Sequence, residues 1–177
     1  SGIPGIHHQK GENMTLRKIF LLCTLILPSG FVLPAGAEQV QLKPFTPGSY
    51  QKLLDSNADK PFMLVIWSTT CSSCMKKMPL LHDLAKSRPE INIVMLSADD
   101  ASATGLVQTV LARNELTNLE HWIFAEENAQ KLRYEIDPKW YGELPRTYFI
   151  NKNHERHGIS GALSREDYNN IFKVLLN

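Results

Sequence analysis

The chain has 177 residues, 43% of them hydrophobic and 21% charged, and its 19 basic against 18 acidic residues leave a formal net charge of +1. That composition belongs to a globular domain and excludes a disordered segment, a collagen and a small disulfide scaffold. With charge this even and no basic run longer than a pair, there is no broad field to gather nucleic acid or anionic lipid, and neither is expected as a partner.

From Met14 the chain reads Arg17-Lys18, an apolar run Ile19 to Leu27, the breakers Pro28-Ser29, and Ala35-Gly36-Ala37 before Glu38. A basic start, a short apolar run and a small-residue end make up a secretory signal peptide over residues 14–37, with cleavage expected after Ala37. Left uncleaved, Ile19 to Leu33 would be a membrane anchor, interrupted by Pro28, Ser29 and Gly30. Residues 1–13 precede this pattern and read as a cloning scar or an upstream extension. Cleavage leaves one domain over residues 38–177, exported to a periplasmic or similar compartment, with no membrane association of its own. Of the three cysteines, Cys23 leaves with the signal, so Cys71 and Cys74 remain where disulfides persist.

In that domain, Gln39 to Phe45 reads as a strand, and Thr46-Pro47 as the cap and first residue of a helix near 47–57. The unbroken apolar run Phe62 to Trp67 predicts a central strand buried on both faces. Cys74, Met78, Leu81 and Ala85 recur at helical spacing up to Arg88-Pro89, with Pro79 expected to kink that helix. Ile91 to Leu96 is the next buried strand. Leu106, Val107, Val110 and Leu111 predict one apolar face of a helix over 103–114, followed by a strand at 122–124 and a helix at 128–136. Thr147 to Ile150 and Arg156 to Ser160 read as a hairpin joined at Asn151-Lys152-Asn153, loosened by Gly158 and Gly161. A last helix begins at a Ser164/Asp167 capping pair and packs through Tyr168, Ile171, Phe172 and Leu175. The alternation of strands and helices gives one α/β domain.

The chemistry concentrates in Cys71-Ser72-Ser73-Cys74, which follows the buried strand and opens a helix. At a helix N-terminus, free backbone N–H groups and the helix dipole favour a thiolate on the first cysteine, and the second lies one turn away, in position to resolve a mixed disulfide. A four-ligand zinc site lacks its second cysteine pair. A Cu(I) site from Cys71, Cys74, Met78 and His82 is the alternative, since thiolate, thioether and imidazole suit soft copper; Met78 also aligns with the apolar face and serves equally as core. Lys76 and Lys77 either lower a thiol pKa or are solvated surface residues.

Trp67-Ser68-Thr69-Thr70-Cys71-Ser72-Ser73-Cys74, Pro79, and Glu143-Leu144-Pro145-Arg146-Thr147-Tyr148-Phe149-Ile150 together resemble the thioredoxin superfamily, closest to its exported TlpA/ResA-like branch, over about residues 44–173. The resemblance implies a thioredoxin fold, a central mixed sheet flanked by helices, with an inserted helix-strand unit between Ala101 and Ile136. It implies a thiol-disulfide oxidoreductase, on balance a reductase, with Cys71 and Cys74 as the redox pair and Pro145 as a cis-proline facing them. Such a protein needs no cofactor beyond its dithiol and draws electrons from a membrane thiol donor for client proteins carrying thiols or disulfides. Pro145, lacking an N–H, belongs at a strand start or edge, where a cis Leu144–Pro145 bond would offer backbone groups to a client and a trans bond would make an ordinary turn. Trp67 either walls the dithiol on the client side or fills the core. Three positions depart from the family pattern: Thr70 replaces a second tryptophan, Val65 a buried acid, and Lys77 the glutamate of cytochrome-maturation members.

Overall fold

A computed structural model describes Gly2 and residues 39–175, so the expected signal peptide and the extension before it lie outside the described residues. Phe62–Trp67 forms strand β2 with all six side chains buried. Its neighbours explain the unbroken apolar run: β3 (Asn92–Ser97) pairs with it in parallel and β5 (Arg146–Ile150) antiparallel, leaving no edge or face to water. Beyond β3 lie β4 (Glu120–Phe124) and β1 (Leu42–Phe45), and beyond β5 lies β6 (Arg156–Ser160), giving the order β1-β4-β3-β2-β5-β6. The mixed sheet flanked by helices is the expected fold. The inserted unit lies within 101–136, and its strand, β4, is seated between β1 and β3.

Side chains alternate across the sheet, so β2 feeds two cores. Phe62, Leu64 and Ile66 pack with Leu53 of α1 (Ser49–Ser56) and with Leu132 and Ile136 of α5 (Ala129–Ile136). Met63, Val65 and Trp67 meet the other helices: α2 (Ser72–Met75) through Cys74, α3 (Met78–Ser87) through Met78, Leu81 and Leu84, α4 (Thr104–Arg113) through Val107 and Leu111, and α6 (Arg165–Leu175) through Tyr168 and Phe172. Each fully buried aliphatic or aromatic side chain contributes about 1.5–3 kcal/mol. Both faces of the strand that leads into the dithiol are therefore held.

Several local features differ from the sequence expectation. The helix expected from Cys74 to Arg88 is two helices, broken at Lys76–Lys77, and Pro79 falls in the first turn of α3. There its missing N–H has no intrahelical acceptor to lose, so the cost of a mid-helix proline does not arise. Helix α1 begins at Ser49, not Pro47; its N-cap is Gly48, at φ 85°, and the Glu135 carboxylate of α5 accepts the N–H groups of Gly48 and Tyr50 at 2.9 and 3.1 Å. Leu106 is 55% exposed, leaving Val107 and Leu111 to carry the buried face of α4. Gly158 tightens the hairpin rather than loosening it: it sits opposite Tyr148, and a Cβ there would overlap the Arg146 guanidinium and stand 2.5 Å from the Tyr148 ring. The capping pair of α6 is present and reciprocal, with Ser164 N–H donating to Asp167 and Asp167 N–H to Ser164 Oγ.

Candidate active site

Strand β2 ends at Trp67, the chain turns through Ser68-Thr69-Thr70, and Cys71 becomes the N-cap of α2. Cys71 and Cys74 are joined by a disulfide of 2.08 Å. Two donors converge on Cys71 Sγ: Cys74 N–H at 3.2 Å, and the Ser73 hydroxyl at 3.4 Å, which must donate because a disulfide sulfur carries no proton. Both become stronger, charge-assisted interactions once the sulfur is a thiolate. Cys71 is half-buried and Cys74 is only 2% exposed, so the two sulfurs differ in access as an attacking and a resolving thiol should.

The Leu144–Pro145 peptide bond is cis. Pro145 is buried at the start of β5, and its carbonyl accepts Gly161 N–H at 2.8 Å, so among the described residues it is the Leu144 N–H and C=O that stay without a partner on this edge. Pro145, Cys74, Val65, Trp67, Lys77 and Leu163 line a crevice of about 10 Å³, room for roughly one water. Trp67 is 1% exposed, so of its two expected roles it takes that of core filler, flooring the crevice without facing a client. Val65 is buried among apolar neighbours and holds no acid near Cys74.

Lys76 is solvent-exposed. Lys77 is half-buried along the crevice, and its charge helps hold the Asp167 carboxyl below its ordinary pKa, after the larger effect of the Ser164 hydroxyl and N–H. Of the alternative copper ligands, Met78 lines the same crevice as Cys74 and His82 does not. Met78 is fully buried in the core, and His82 turns its Nδ1 to the Glu115 carbonyl at 2.9 Å, in a separate concavity with Pro79 and Arg113. Among the described residues no three of His, Cys, Asp and Glu cluster as a metal site. A concavity of about 540 Å³ lies by Phe149, His157 and Val174, at the end of β5 remote from Pro145.

Two residues of the site were not singled out from sequence. Ser73 was indistinguishable from Ser72 until the turn of α2 aimed it at Cys71. Asp99, just past β3, accepts hydrogen bonds from Ser68 Oγ (2.7 Å), Thr69 N–H (2.8 Å), Thr69 Oγ1 (3.0 Å) and Ser97 Oγ (2.7 Å). The available signal was a hydroxyl-rich turn after one buried strand and an aspartate after another.

A family model described as thioredoxin-like matches residues 59–155, which include the dithiol and Pro145. No curated protein sequence matches the chain. Among solved structures, the chain is similar to a secreted Mycobacterium tuberculosis disulfide oxidoreductase described as homologous to Escherichia coli DsbE, with 18% identity and a TM-score of 0.56 over 68% of this chain and 86% of that one. It is also similar to M. tuberculosis DsbF, with 16% identity and a TM-score of 0.58 over 68% and 84% of the two chains. A DsbF homologue from Corynebacterium diphtheriae gives 18% identity and a TM-score of 0.57 over 69% and 76%. At these identities the likeness is one of fold.

Proposed function

The chain belongs to the thioredoxin-like family, and from that premise we propose that it is an exported thiol-disulfide oxidoreductase of the TlpA/ResA-like branch that reduces protein disulfides. The observation that carries this reading is the Cys71–Cys74 disulfide at the start of α2, with the more accessible sulfur receiving two hydrogen bonds. In the reduced protein the Cys71 thiolate attacks a client disulfide. A Cys71–client bond forms, the client S–S bond breaks, and the leaving client thiolate takes a proton. Cys74, deprotonated, then attacks Cys71 Sγ, closing the internal disulfide and releasing the second client thiol; two electrons have passed to the client. Leu144 offers its free N–H and C=O to the client backbone. The dithiol is the whole redox apparatus, and a membrane thiol donor reloads it.

The test is a titration of the pair against glutathione or dithiothreitol, read by alkylation and mass, together with an insulin-reduction assay. A reductase has a potential near or below about −270 mV; a value between about −180 and −120 mV reverses the direction to oxidant or isomerase. Cys71→Ser abolishes turnover with the fold intact, and Cys74→Ser accumulates mixed disulfides. Turnover by Cys71→Ser, or a wild-type pair that forms no reversible disulfide, overturns the proposal.

A further inference from the structure

The turn that delivers Cys71 is held from outside itself. Thr69 N–H lies beyond the ladder of β2, and Ser68, Thr69 and Thr70 bring three hydroxyls to the end of a buried strand, where each polar group needs a partner. Parallel pairing sets Trp67 beside Ser97 and places the chain past β3 alongside this turn; Ala98 N–H donates to the Trp67 carbonyl at 2.8 Å. Asp99 then uses both carboxylate oxygens. Oδ1 accepts the Ser68 and Thr69 hydroxyls, and Oδ2 accepts Thr69 N–H and the Ser97 hydroxyl. Ser68 Oγ in turn accepts Thr70 N–H at 3.1 Å, and Cys71 N–H donates to the Ser68 carbonyl at 3.1 Å. A continuous set of bonds runs from Asp99 to the main chain of Cys71.

We infer that Asp99 is a positioning residue for the redox pair: by clamping residues 68–70 it holds Cys71 on the N-cap of α2, within bonding reach of Cys74, and so favours closure of the internal disulfide over the mixed disulfide with a client. This rests on the redox reading above. A disulfide between two groups of one chain is stable in proportion to the effective concentration of one thiol at the other, and that falls when the segment carrying one of them gains freedom. Loosening the clamp therefore makes the pair easier to reduce.

Asp99→Asn tests this. The amide keeps one acceptor and puts a donor in place of the other: turned toward Oδ2's partners it opposes Thr69 N–H, and turned toward the Ser68 and Thr69 hydroxyls, which can rotate to accept, it exchanges bonds to a carboxylate for weaker neutral ones, so the clamp is weakened in either orientation. The equilibrium constant for closing the Cys71–Cys74 disulfide against glutathione should fall about tenfold, equivalent to a rise of about 30 mV. Thr69→Val removes one hydroxyl bond and keeps the carboxylate charge, and it should shift the constant in the same direction by a smaller factor. Asn57→Ala, which removes the bonds of a buried side chain to the Leu53 carbonyl and to Asn92 and touches nothing in the clamp, should lower thermal stability while leaving the constant within twofold of wild type. If Asp99→Asn fails to fold, Thr69→Val and Asn57→Ala decide the matter between them. Unchanged constants in Asp99→Asn and Thr69→Val, or an equal shift in Asn57→Ala, overturn the inference. A wild type without a reversible disulfide instead overturns the redox reading on which it rests.

Discussion

Replacing Ser73 with alanine separates the two donors at Cys71 and isolates what one hydroxyl does for the sulfur. In the disulfide the sulfur is a weak acceptor and the 3.4 Å contact contributes little. In the reduced protein the same hydroxyl faces a thiolate, and hydrogen bonds to charged groups contribute about 1.5–3 kcal/mol. Ser73 and Cys71 are both half-buried, so solvent replaces part of this and the lower end, about 1.5 kcal/mol, is the appropriate figure. Because the loss falls on the reduced state alone, Ser73→Ala should raise the Cys71 pKa by about one unit and make the pair more reducing by about 30 mV wherever Cys71 is ionised. Cys74 N–H still donates, so the thiolate is weakened and not lost. Ser72 is exposed and has no bond to either sulfur, which makes Ser72→Ala the control. The assay is the pH dependence of Cys71 alkylation, paired with a glutathione titration of each variant. An unmoved Ser73→Ala, or an equal shift in Ser72→Ala, refutes the reasoning.

The remaining predictions concern stability. Burial raises the Asp137 carboxyl pKa, but Lys139 N–H, Arg156, Tyr148 and Arg146 together outweigh it and hold the group below its ordinary value of 3.8. Its contribution is thus complete above that value and lost as pH falls through the lowered folded pKa, and Asp137→Asn, depriving Arg156 of its carboxylate and leaving Arg146 only the more exposed Glu143, should cost about 3 kcal/mol in urea denaturation at pH 7; a cost under about 1 kcal/mol would show the network to be solvent-screened. His121 is buried, its Nε2–H donating to the Leu116 carbonyl and its Nδ1 unpartnered, and burial pushes its pKa below the ordinary 6.5. The unfolded chain then binds the extra proton first, so stability declines as pH falls below about 6.5, and the pH 7 to pH 5 loss should shrink in His121→Gln. An unchanged loss would place that titration elsewhere. Gly158→Ala drives a methyl into the fully buried Tyr148 ring and should cost about 3 kcal/mol by thermal or urea denaturation; a neutral outcome would mean that the hairpin relaxes freely.

The architecture was legible wherever a residue's environment follows from its own segment. Phe62 to Trp67 announces a strand covered on both faces by being apolar at every position, and Ser164 with Asp167 announces a helix start because a capping box is local. The break between α2 and α3 was not legible, because Pro79 reads identically as a kink within one helix and as the first turn of a second. The start of α1 was displaced for a different reason: its caps come from Glu135, remote in sequence, which satisfies the N–H groups that Thr46 was expected to serve. Within the site, the cysteines and Pro145 could be placed from spacing and resemblance. Asp99 could not, since its role exists only once β3 lies beside β2, and the difference between Ser72 and Ser73 exists only in the turn of α2. Trp67 stood at the point where a core and a client surface have the same sequence signature.

Cys71 is half-buried at the start of α2, while Cys74, on the inner face of that helix, is 2% exposed. On the proposed cycle, client and electron donor would use the same opening, and neither would reach Cys74 while the other is bonded to Cys71. The protein would then be a shuttle with a single berth, holding its two electrons between visits, and no assembly of client, protein and donor would have to form. Tight binding of either visitor would slow such a cycle as surely as a poor potential.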